Sequence, residues 1–569
     1  MSSSLSNNRS KFASVCIYKC ATLSTIAQES PDATSSGVVP IFRRATQFGN
    51  RVAFQDNDGD YRYQGLLRSS HKFASEISYH LNGNTQERVA FLCPNNASYL
   101  IAQWACWISG QIAVPMNDKH PLPLMEHYVT NSQAKLVVTT RHYAKMIAKL
   151  CLKIGTKMLI MDDILQISSR RTDGENIDAL DSFSIGLEPE FYETSEALII
   201  YTSGTTGLPK GAVLSHRAIQ EQVSSLVQAW GWTKHDGVLH VLPLHHIHGI
   251  VNVLTCPLAV GATCVMLPKF DAGQVWRHLL INARVNIFMA VPTIYMKLIE
   301  EYENNLKDRE EEVRDICSNK ISIDIVITQT SEHMVKIIKF CLLVTGTSWF
   351  EPWLSVLRVI FLNSFPLSSH ENAGYVGLPL PGVEVQISGP NYEPLVTGDN
   401  SGSVVVSTDH ASGELLVRGP TLFSGYYNKP EATSKEFTQD GWFKTGDTAR
   451  YEDGMYQILG RTSVDIIKTG GYKVSALEIE TQLLTHPSIS ECAVVGLEDD
   501  TWGQKVAVIA VLKPGCEVSL SELRQWSKER LASYASPSVL KVIDILPKNV
   551  MGKVNKKQLI KELFPDSAQ

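Results

Sequence analysis

Cysteine is scarce in this chain, which has eleven in 569 residues. None lies in a C-x-x-C pair, and the two closest, Cys16 and Cys20, are near the N-terminus. This scarcity excludes a disulfide scaffold, so we expect most cysteines to be buried free thiols in a reducing compartment.

Long uncharged hydrophobic runs are absent as well. The most apolar stretch, about Ile337 to Leu362, is interrupted by Lys339, Glu351 and Arg358, whereas a membrane span needs ~20 nearly uncharged residues. Basic charge is not in excess, because 52 Lys and Arg stand against 58 Asp and Glu, a net charge of −6. We therefore expect a large soluble intracellular protein with no membrane span and no nucleic-acid partner. The sequence leaves its oligomeric state open.

The first 28 residues differ in composition from the rest. They contain Arg9, Lys11 and Lys19, many serines, and no acidic residue before Glu29. A basic, serine-rich, acid-free leader predicts a mitochondrial transit peptide over residues 1–28 and a location in the mitochondrion, with the matrix as the favoured compartment. The alternative is a frayed N-terminus without a targeting role.

Short β-branched runs alternate with helical periodicity from about Val38 onward. Arg88–Cys93, Lys135–Thr139 and Ala197–Tyr201 are typical of buried strands, and Ser98 to about Ile108 of an amphipathic helix. This alternation predicts an α/β fold of βαβ units with largely parallel sheets.

Two later segments show other patterns. The Gly-, Asn-, Asp- and Ser-rich segment Ser388–Ser412 predicts a surface β-hairpin or insertion. After Gly460 the pattern restarts, with strands at Cys492–Gly496 and Val506–Leu512, and helices at 475–484 and 520–531. We predict a large N-terminal region, 29–461, and a small C-terminal α+β domain, 462–569.

The strongest chemical signal is the run YTSGTTGLPKG, Tyr201–Gly211, directly after an apolar strand. Its glycines free the backbone to wrap an anion, its hydroxyls and amides bind phosphate oxygens, and Lys210 adds a positive charge. The spacing does not match a Walker A loop. The alternative is a flexible surface loop. We predict a phosphate-binding loop formed by Thr202, Ser203, Gly204, Thr205, Thr206, Gly207, Leu208, Pro209 and Lys210.

This loop resembles the signature of the acyl-adenylate-forming superfamily, which includes the acyl-CoA synthetases and luciferases. Further motifs follow in the order of that family: LPLHHIHG (242–249), GWFKTGD (441–447), GR (460–461), KTGGYK (468–473) and KNVMGK (548–553). The stretches 241–249, 260–265, 288–295 and 462–476 resemble the malonate-activating branch. The resemblance implies a large adenylate-forming region of βαβ sheets with a small mobile C-terminal domain, and ATP, Mg²⁺, CoA and malonate as ligands.

The resemblance also implies site residues. Asp447, which the sequence places at a turn, would bind the ATP ribose, although a turn-capping aspartate is the simpler interpretation of the residue alone. Arg461 would contact ribose and phosphate, where an arginine could also form a surface ion pair. The stretch that follows, 461–465, is one residue longer than is common in the family, which leaves open which residue acts as the hinge.

His246 would line the acyl pocket, with a packed histidine as the alternative. The spacing of His245, His246 and His248 does not favour a metal site. Lys553 would support adenylation, although by itself it is one lysine in a run with Lys548, Lys556 and Lys557, a pattern typical of a solvated face.

Gly471 and Lys473 would lie on the side used by CoA, where the Trp502–Gln504 turn also matches the family. These assignments rest on fewer matching residues than the nucleotide loop does.

One family motif is missing. An aromatic-Gly-x-Thr-Glu sequence, whose glutamate helps to hold Mg²⁺, normally lies between the histidine motif and Asp447. Here resemblance stops near Ile321 and resumes near Gly374, and the atypical segment 322–372 offers no matching acid, so no metal ligand can be named. Three hypotheses remain: a malonate–CoA ligase, a catalytically impaired homologue that at most binds nucleotide, and a ligase for another short or medium-chain acid.

Overall fold

A computed structural model of the chain describes residues 37–170, 185–202, 208–309, 313, 361–362, 375–406, 412–470, 472–547 and 554–565. All elements below lie in the unit Val39–Gln569. The α-helices are α1 (Ile41–Arg44), α2 (Tyr63–His80), α3 (Ala97–Ile108), α4 (Leu122–Asn131), α5 (Ala144–Ile154), α6 (Asp163–Arg170), α7 (Pro189–Thr194), α8 (His216–Trp230), α9 (Cys256–Ala259), α10 (Ala272–Ile281), α11 (Pro292–Asn305), α12 (Pro430–Glu436), α13 (Ala476–Leu483), α14 (Leu520–Ser527) and α15 (Lys556–Leu563). A π-helical stretch, His248–Thr255, precedes α9, and short 3₁₀ turns occupy Ala45–Phe48, Lys307–Arg309 and Ser533–Ala535.

The strands are β1 (Val52–Asp56), β2 (Gly59–Arg62), β3 (Arg88–Leu92), β4 (Ile112–Pro115), β5 (Leu136–Thr140), β6 (Lys157–Met161), β7 (Glu196–Thr202), β8 (Lys210–Ser215), β9 (Gly237–His240), β10 (Thr263–Met266), β11 (Ile287–Phe288), β12 (Phe361–Leu362), β13 (Tyr375–Pro379), β14 (Glu384–Ser388), β15 (Pro394–Asp399), β16 (Gly402–Val405), β17 (Ser412–Arg418), β18 (Gly425–Tyr426), β19 (Phe443–Glu452), β20 (Met455–Arg461), β21 (Ile466–Thr469), β22 (Tyr472–Ser475), β23 (Ile489–Asp499), β24 (Gly503–Leu512) and β25 (Val539–Val542).

Two sheets of the N-terminal region are built mainly from parallel strands. One has the order β18-β8-β7-β4-β3-β5-β6, with β7, β4, β3, β5 and β6 parallel. The other has the order β11-β9-β10-β1-β2 and is parallel except for β2. Helices connect the parallel strands, as the prediction of βαβ units requires.

A third sheet contradicts the expectation that the sheets are largely parallel. Its eight strands, in the order β12-β13-β20-β19-β17-β14-β15-β16, are antiparallel throughout. Short turns connect β14 to β15, β15 to β16 and β19 to β20, and such turns permit only antiparallel pairing. The predicted hairpin within Ser388–Ser412 is confirmed as β15 and β16, at the edge of this sheet.

The C-terminal sheet has the order β22-β21-β24-β23, with β25 parallel to β24. Alternate residues of β23 face opposite sides, as the two-residue period of a strand requires. Val494 packs with Ile479 of α13 and Leu523 of α14, while Val495 packs with Leu559 of α15. Helices therefore cover both faces of this sheet. No helix in the described part of the chain is long and apolar enough to cross a membrane.

Candidate active site

The predicted phosphate loop connects two antiparallel strands. β7 ends at Thr202 and β8 begins at Lys210, and the Thr202 hydroxyl donates to the Lys210 carbonyl across a distance of 3.3 Å. Ser203, Gly204, Thr205, Thr206 and Gly207 lie outside the described residues. The two strands therefore fix both ends of the loop, and bring its lysine back to the end of β7.

Helix α4 supports both sides of this hairpin. His127 Nε2 donates to the Pro209 carbonyl at 2.9 Å, at the loop's second end. At its first end, the Tyr201 hydroxyl donates to Asn131 Oδ1 at 2.8 Å, and its ring stacks on Tyr128 with centroids 4.4 Å apart. Such contacts restrict the loop ends, which lowers the entropy lost when the loop orders around a ligand.

Lys210 lies beside a carboxylate and an aromatic ring. Its Nζ is 3.5 Å from Glu436 Oε1, at the end of α12, and 4.6 Å from the centroid of the Tyr426 ring. About a third of each charged side chain is exposed, so the ion pair contributes little to stability. Lys210 thus lies next to the loop in a weak ion pair. A bound phosphate can replace Glu436 as its partner.

The histidine motif follows β9. His240, fully buried at the end of β9, donates from Nε2 to the Gly249 carbonyl at 2.9 Å and accepts from the Leu242 amide at Nδ1. Burial lowers the pKa of His240 to about 4, although the Gly249 carbonyl opposes the shift. A neutral His240 therefore fixes the chain on either side of residues 243–248.

The rings of His245 and His246 are in contact within that segment, with centroids 3.9 Å apart and planes tilted by 41°. His245 Nδ1 lies 2.7 Å from the Asn117 amide nitrogen, and the edge of His120 contacts the His245 ring. Burial, followed by the nearby His246, His120 and Lys119, holds the pKa of His245 well below its usual range. His245 is therefore a neutral imidazole rather than a cation at neutral pH.

Asp447 does not lie at a turn, contrary to the prediction. It is a fully buried residue of β19, at a point where the pairing with β17 is irregular. Directly opposite in β20 is Arg461, whose Nε lies 3.0 Å from Asp447 Oδ1. Arg461 Nη1 also donates to the Thr445 carbonyl at 2.7 Å. The arginine therefore pairs with a buried carboxylate rather than with a surface one.

A glycine precedes each residue of this pair, and both glycines have a positive φ angle. Gly446 has φ +71°, and a Cβ there would lie 3.0 Å from Arg461 Nη1. Gly460 has φ +123°, and a Cβ there would lie 2.8 Å from the Cβ of Asp465. Backbone strain and a close approach thus both favour glycine before Asp447 and before Arg461.

The other predicted site residues are less completely described. Lys553 and Gly471 lie outside the described residues, and of Lys473 the structure describes the backbone alone, in β22. Trp502, the first residue of the Trp502–Gln504 turn, is half exposed and packs against Gly470.

Lys556 contradicts the expectation of a solvated lysine face. It is buried, and its Nζ lies 2.9 Å from Asp465 Oδ1 and 2.7 Å from Glu480 Oε1. Sequence reasoning missed this cluster because its three members are far apart along the chain. The only available signal was that Lys556 opens a helix whose apolar residues repeat at helical spacing.

Groups of three or more His, Cys, Asp or Glu that could hold a metal ion are absent from the described part of the chain. The described cysteines are free thiols, all buried except the half-buried Cys516. This confirms the expectation for those cysteines.

Two family models match this chain. The model of the AMP-binding enzymes matches residues 41–427, and that of the AMP-binding enzyme C-terminal domain matches residues 478–553. The chain belongs to the AMP-binding enzyme family. The resemblance inferred from the motifs is confirmed.

Similar proteins carry the names of malonate–CoA ligases. The chain is 44% identical to malonate–CoA ligase ACSF3, mitochondrial, of Xenopus laevis, over 93% of each chain. It is 42% identical to the Mus musculus protein of the same name, over 94% of this chain and 92% of that one. It is 34% identical to the malonate–CoA ligase of Arabidopsis thaliana, over 92% and 88%.

Solved structures of the same fold confirm the α/β class with a C-terminal domain. ATP-bound MatB from Rhodopseudomonas palustris has a TM-score of 0.71 and 24% identity, covering 93% of this chain and all of that one. The o-succinylbenzoate CoA synthetase of Bacillus subtilis, in complex with its acyl-adenylate intermediate, has a TM-score of 0.69 and 27% identity, covering 92% and 98%.

Proposed function

We propose that this protein is an AMP-forming malonate–CoA ligase. Malonate and ATP would give malonyl-adenylate and pyrophosphate, and the CoA thiol would then displace AMP to give malonyl-CoA. Division into two steps has a chemical reason, since a carboxylate is a poor acyl donor and a mixed anhydride with phosphate is a good one. The observation that carries the proposal is the identity of 42–44% with malonate–CoA ligases over more than nine-tenths of the chain.

The geometry supports a nucleotide-binding role for specific residues. The hairpin of β7 and β8 would place the backbone amides and hydroxyls of Thr202–Lys210 around the phosphates of ATP. Asp447 would accept hydrogen bonds from both ribose hydroxyls. Arg461, whose Nε lies 3.0 Å from Asp447 Oδ1, would also reach a phosphate.

The acyl and catalytic roles complete the proposal. His246 would line the pocket for the acid, beside the ring of His245 that it contacts. Lys553 would neutralise charge as a malonate oxygen attacks the α-phosphate and pyrophosphate leaves. Gly471 and Lys473 would then contact CoA during the thioester step, after the C-terminal domain has moved.

Mg²⁺ is general for this chemistry, where it supplies positive charge to the triphosphate. Among the described residues no acid cluster fits the ion, and the atypical segment lacks the family's glutamate. We therefore assign no ligand to Mg²⁺, and no step above depends on one.

Mitochondrial location is part of the proposal. It is supported by the basic, acid-free leader and by relatives that are named mitochondrial. Within the mitochondrion, the matrix is the compartment to which a cleavable leader of this type directs proteins.

The substrate is tested by supplying the full-length protein with ATP, CoA and one acid at a time. Malonate should support AMP release and malonyl-CoA formation at least ~10-fold faster than acetate, propionate or succinate at equal concentration, a difference of about 1.4 kcal/mol in transition-state binding. Faster turnover of a medium-chain acid would contradict malonate and favour a ligase for another acid.

A second candidate function follows from one observation, the missing aromatic-Gly-x-Thr-Glu motif. A homologue without it would bind nucleotide and turn over slowly or not at all. Sequencing the transcript across Ile321–Gly374 distinguishes the two: a recovered exon with this motif would show that the present chain is a defective isoform of an active ligase.

A further inference from the structure

The Asp447–Arg461 pair is connected to the C-terminal domain through one buried carboxylate. Asp465 Oδ2 accepts a hydrogen bond from the Arg461 backbone amide at 3.0 Å. Its other oxygen, Oδ1, accepts from Lys556 Nζ at 2.9 Å. Asp465 thus contacts both the strand that carries the arginine and the first residue of α15.

Lys556 is itself held from a second side. Its Nζ lies 2.7 Å from Glu480 Oε1 in α13, and the same oxygen accepts from the Val494 amide of β23 at 2.6 Å. The side chains of Asp465, Lys556 and Glu480 are nearly inaccessible to solvent. Screening by water and salt is therefore weak, and the three groups constrain one another strongly.

The geometry points to Asp465 and Lys556 as positioning residues for Arg461. We propose that their buried ion pair fixes the backbone at Arg461, and with it the guanidinium against Asp447, so that this carboxylate faces the ribose of a bound nucleotide. The proposal rests on the proposed function, because it needs Asp447 to bind ribose.

A buried cluster of charged groups is not the most stable way to fill this space. Its one lysine lies between two buried carboxylates. Burial raises the pKa of Asp465 to about 6, with Lys556 opposing the shift and Glu480 adding to it. Buried ion clusters are often no more stable than apolar replacements, so a role in orientation explains the cluster better than a role in stability.

The test compares AMP with 2′,3′-dideoxy-AMP, which lacks the hydroxyls that Asp447 would accept from. Calorimetry on the full-length protein should show that the wild type binds AMP more tightly than the dideoxy analogue. In Asp465→Ala this preference should fall by ~10-fold or more, since Arg461 is no longer held against Asp447. A structural role alone would weaken both nucleotides equally and leave the preference unchanged, which would overturn the proposal.

Asp465→Ala leaves Lys556 paired with Glu480, a neutral buried pair, so the variant is expected to fold. If it does not, Asp465→Asn keeps the size and removes the ion pair, and should lower the preference by ~3-fold or more. Lys557→Met, an exposed neighbour of Lys556 in the same helix, is the matched control and should retain the full preference. A wild type without any preference would instead overturn the ribose assignment of Asp447, and with it both proposals.

Discussion

At the residue scale, the motifs identified candidate side chains but described the surroundings of some of them wrongly. The sequence identified Asp447 and Arg461 as candidates. It predicted a turn at the aspartate and gave a surface ion pair as the alternative for the arginine. The structure instead pairs them across two strands. Lys556 was assigned to a solvated face because adjacent lysines usually lie there, and only the fold brings Asp465 and Glu480 to it.

Lys553 provides the first residue-scale prediction. In a form of the protein that carries the family's missing motif, Lys553→Ala should slow adenylation by ~100-fold or more, about 3 kcal/mol of transition-state stabilisation. The thioester step from supplied malonyl-adenylate should remain nearly intact. The two half-reactions are measured separately, with Lys557→Met as the control. Equal losses in both would contradict the assigned role.

The second residue-scale prediction concerns the contribution of Asp465 to the pH dependence of stability. Its pKa is about 6 in the folded protein, above the ~3.9 of an unfolded chain. Between about pH 4 and 6 the folded state binds more protons, so this group's contribution to the free energy of unfolding falls as pH rises. Asp465→Asn should remove that fall. Lys556, Glu480 and the Arg461 amide face the carboxylate.

Thermal unfolding midpoints of the wild type and Asp465→Asn, measured from pH 4.5 to 7, check this prediction. The midpoint of the variant should rise relative to that of the wild type as pH increases. A constant difference across the range would show that Asp465 titrates with an ordinary carboxyl pKa.

At the scale of elements, periodicity predicted the parallel strands and failed for the antiparallel sheet. The β3, β5 and β7 runs are buried on both faces and therefore read as continuous apolar segments. The turn-rich composition of Ser388–Ser412 predicted the β15–β16 hairpin, but not the sheet that this hairpin joins. Pairing partners far apart along the chain, such as β13 with β20, leave no local signal.

The N-terminal leader provides a prediction for one segment. Residues 1–28 lie outside the described residues, and their composition alone predicts targeting. Fused to a reporter, they should direct it to mitochondria, and exchanging Arg9, Lys11 and Lys19 for Gln should abolish import, because the membrane potential acts on positive charge. A reporter that stays in the cytosol with the native leader would contradict the assignment.

At the scale of the whole molecule, the family fold surrounds one segment that does not resemble the family. Of residues 322–372 the structure describes Phe361 and Leu362, which pair with β13 as the edge strand β12. The phosphate hairpin, the histidine motif and the Asp447–Arg461 pair are formed by residues outside this segment. Loss of the adenine platform and the Mg²⁺ ligand should therefore impair turnover while those parts of the site remain assembled.

Malonate-dependent ATP–pyrophosphate exchange tests this account most directly. It is measured for the full-length chain and for a version in which the family's segment, with its aromatic-Gly-x-Thr-Glu motif, replaces residues 322–372. The restored protein should exchange pyrophosphate with malonate at a rate at least ~100-fold above that of the present chain. Comparable rates would show that an acid within 322–372 substitutes for the lost glutamate. No malonate-dependent exchange in the restored protein would contradict the central claim, that the rest of this chain forms a malonate-activating site.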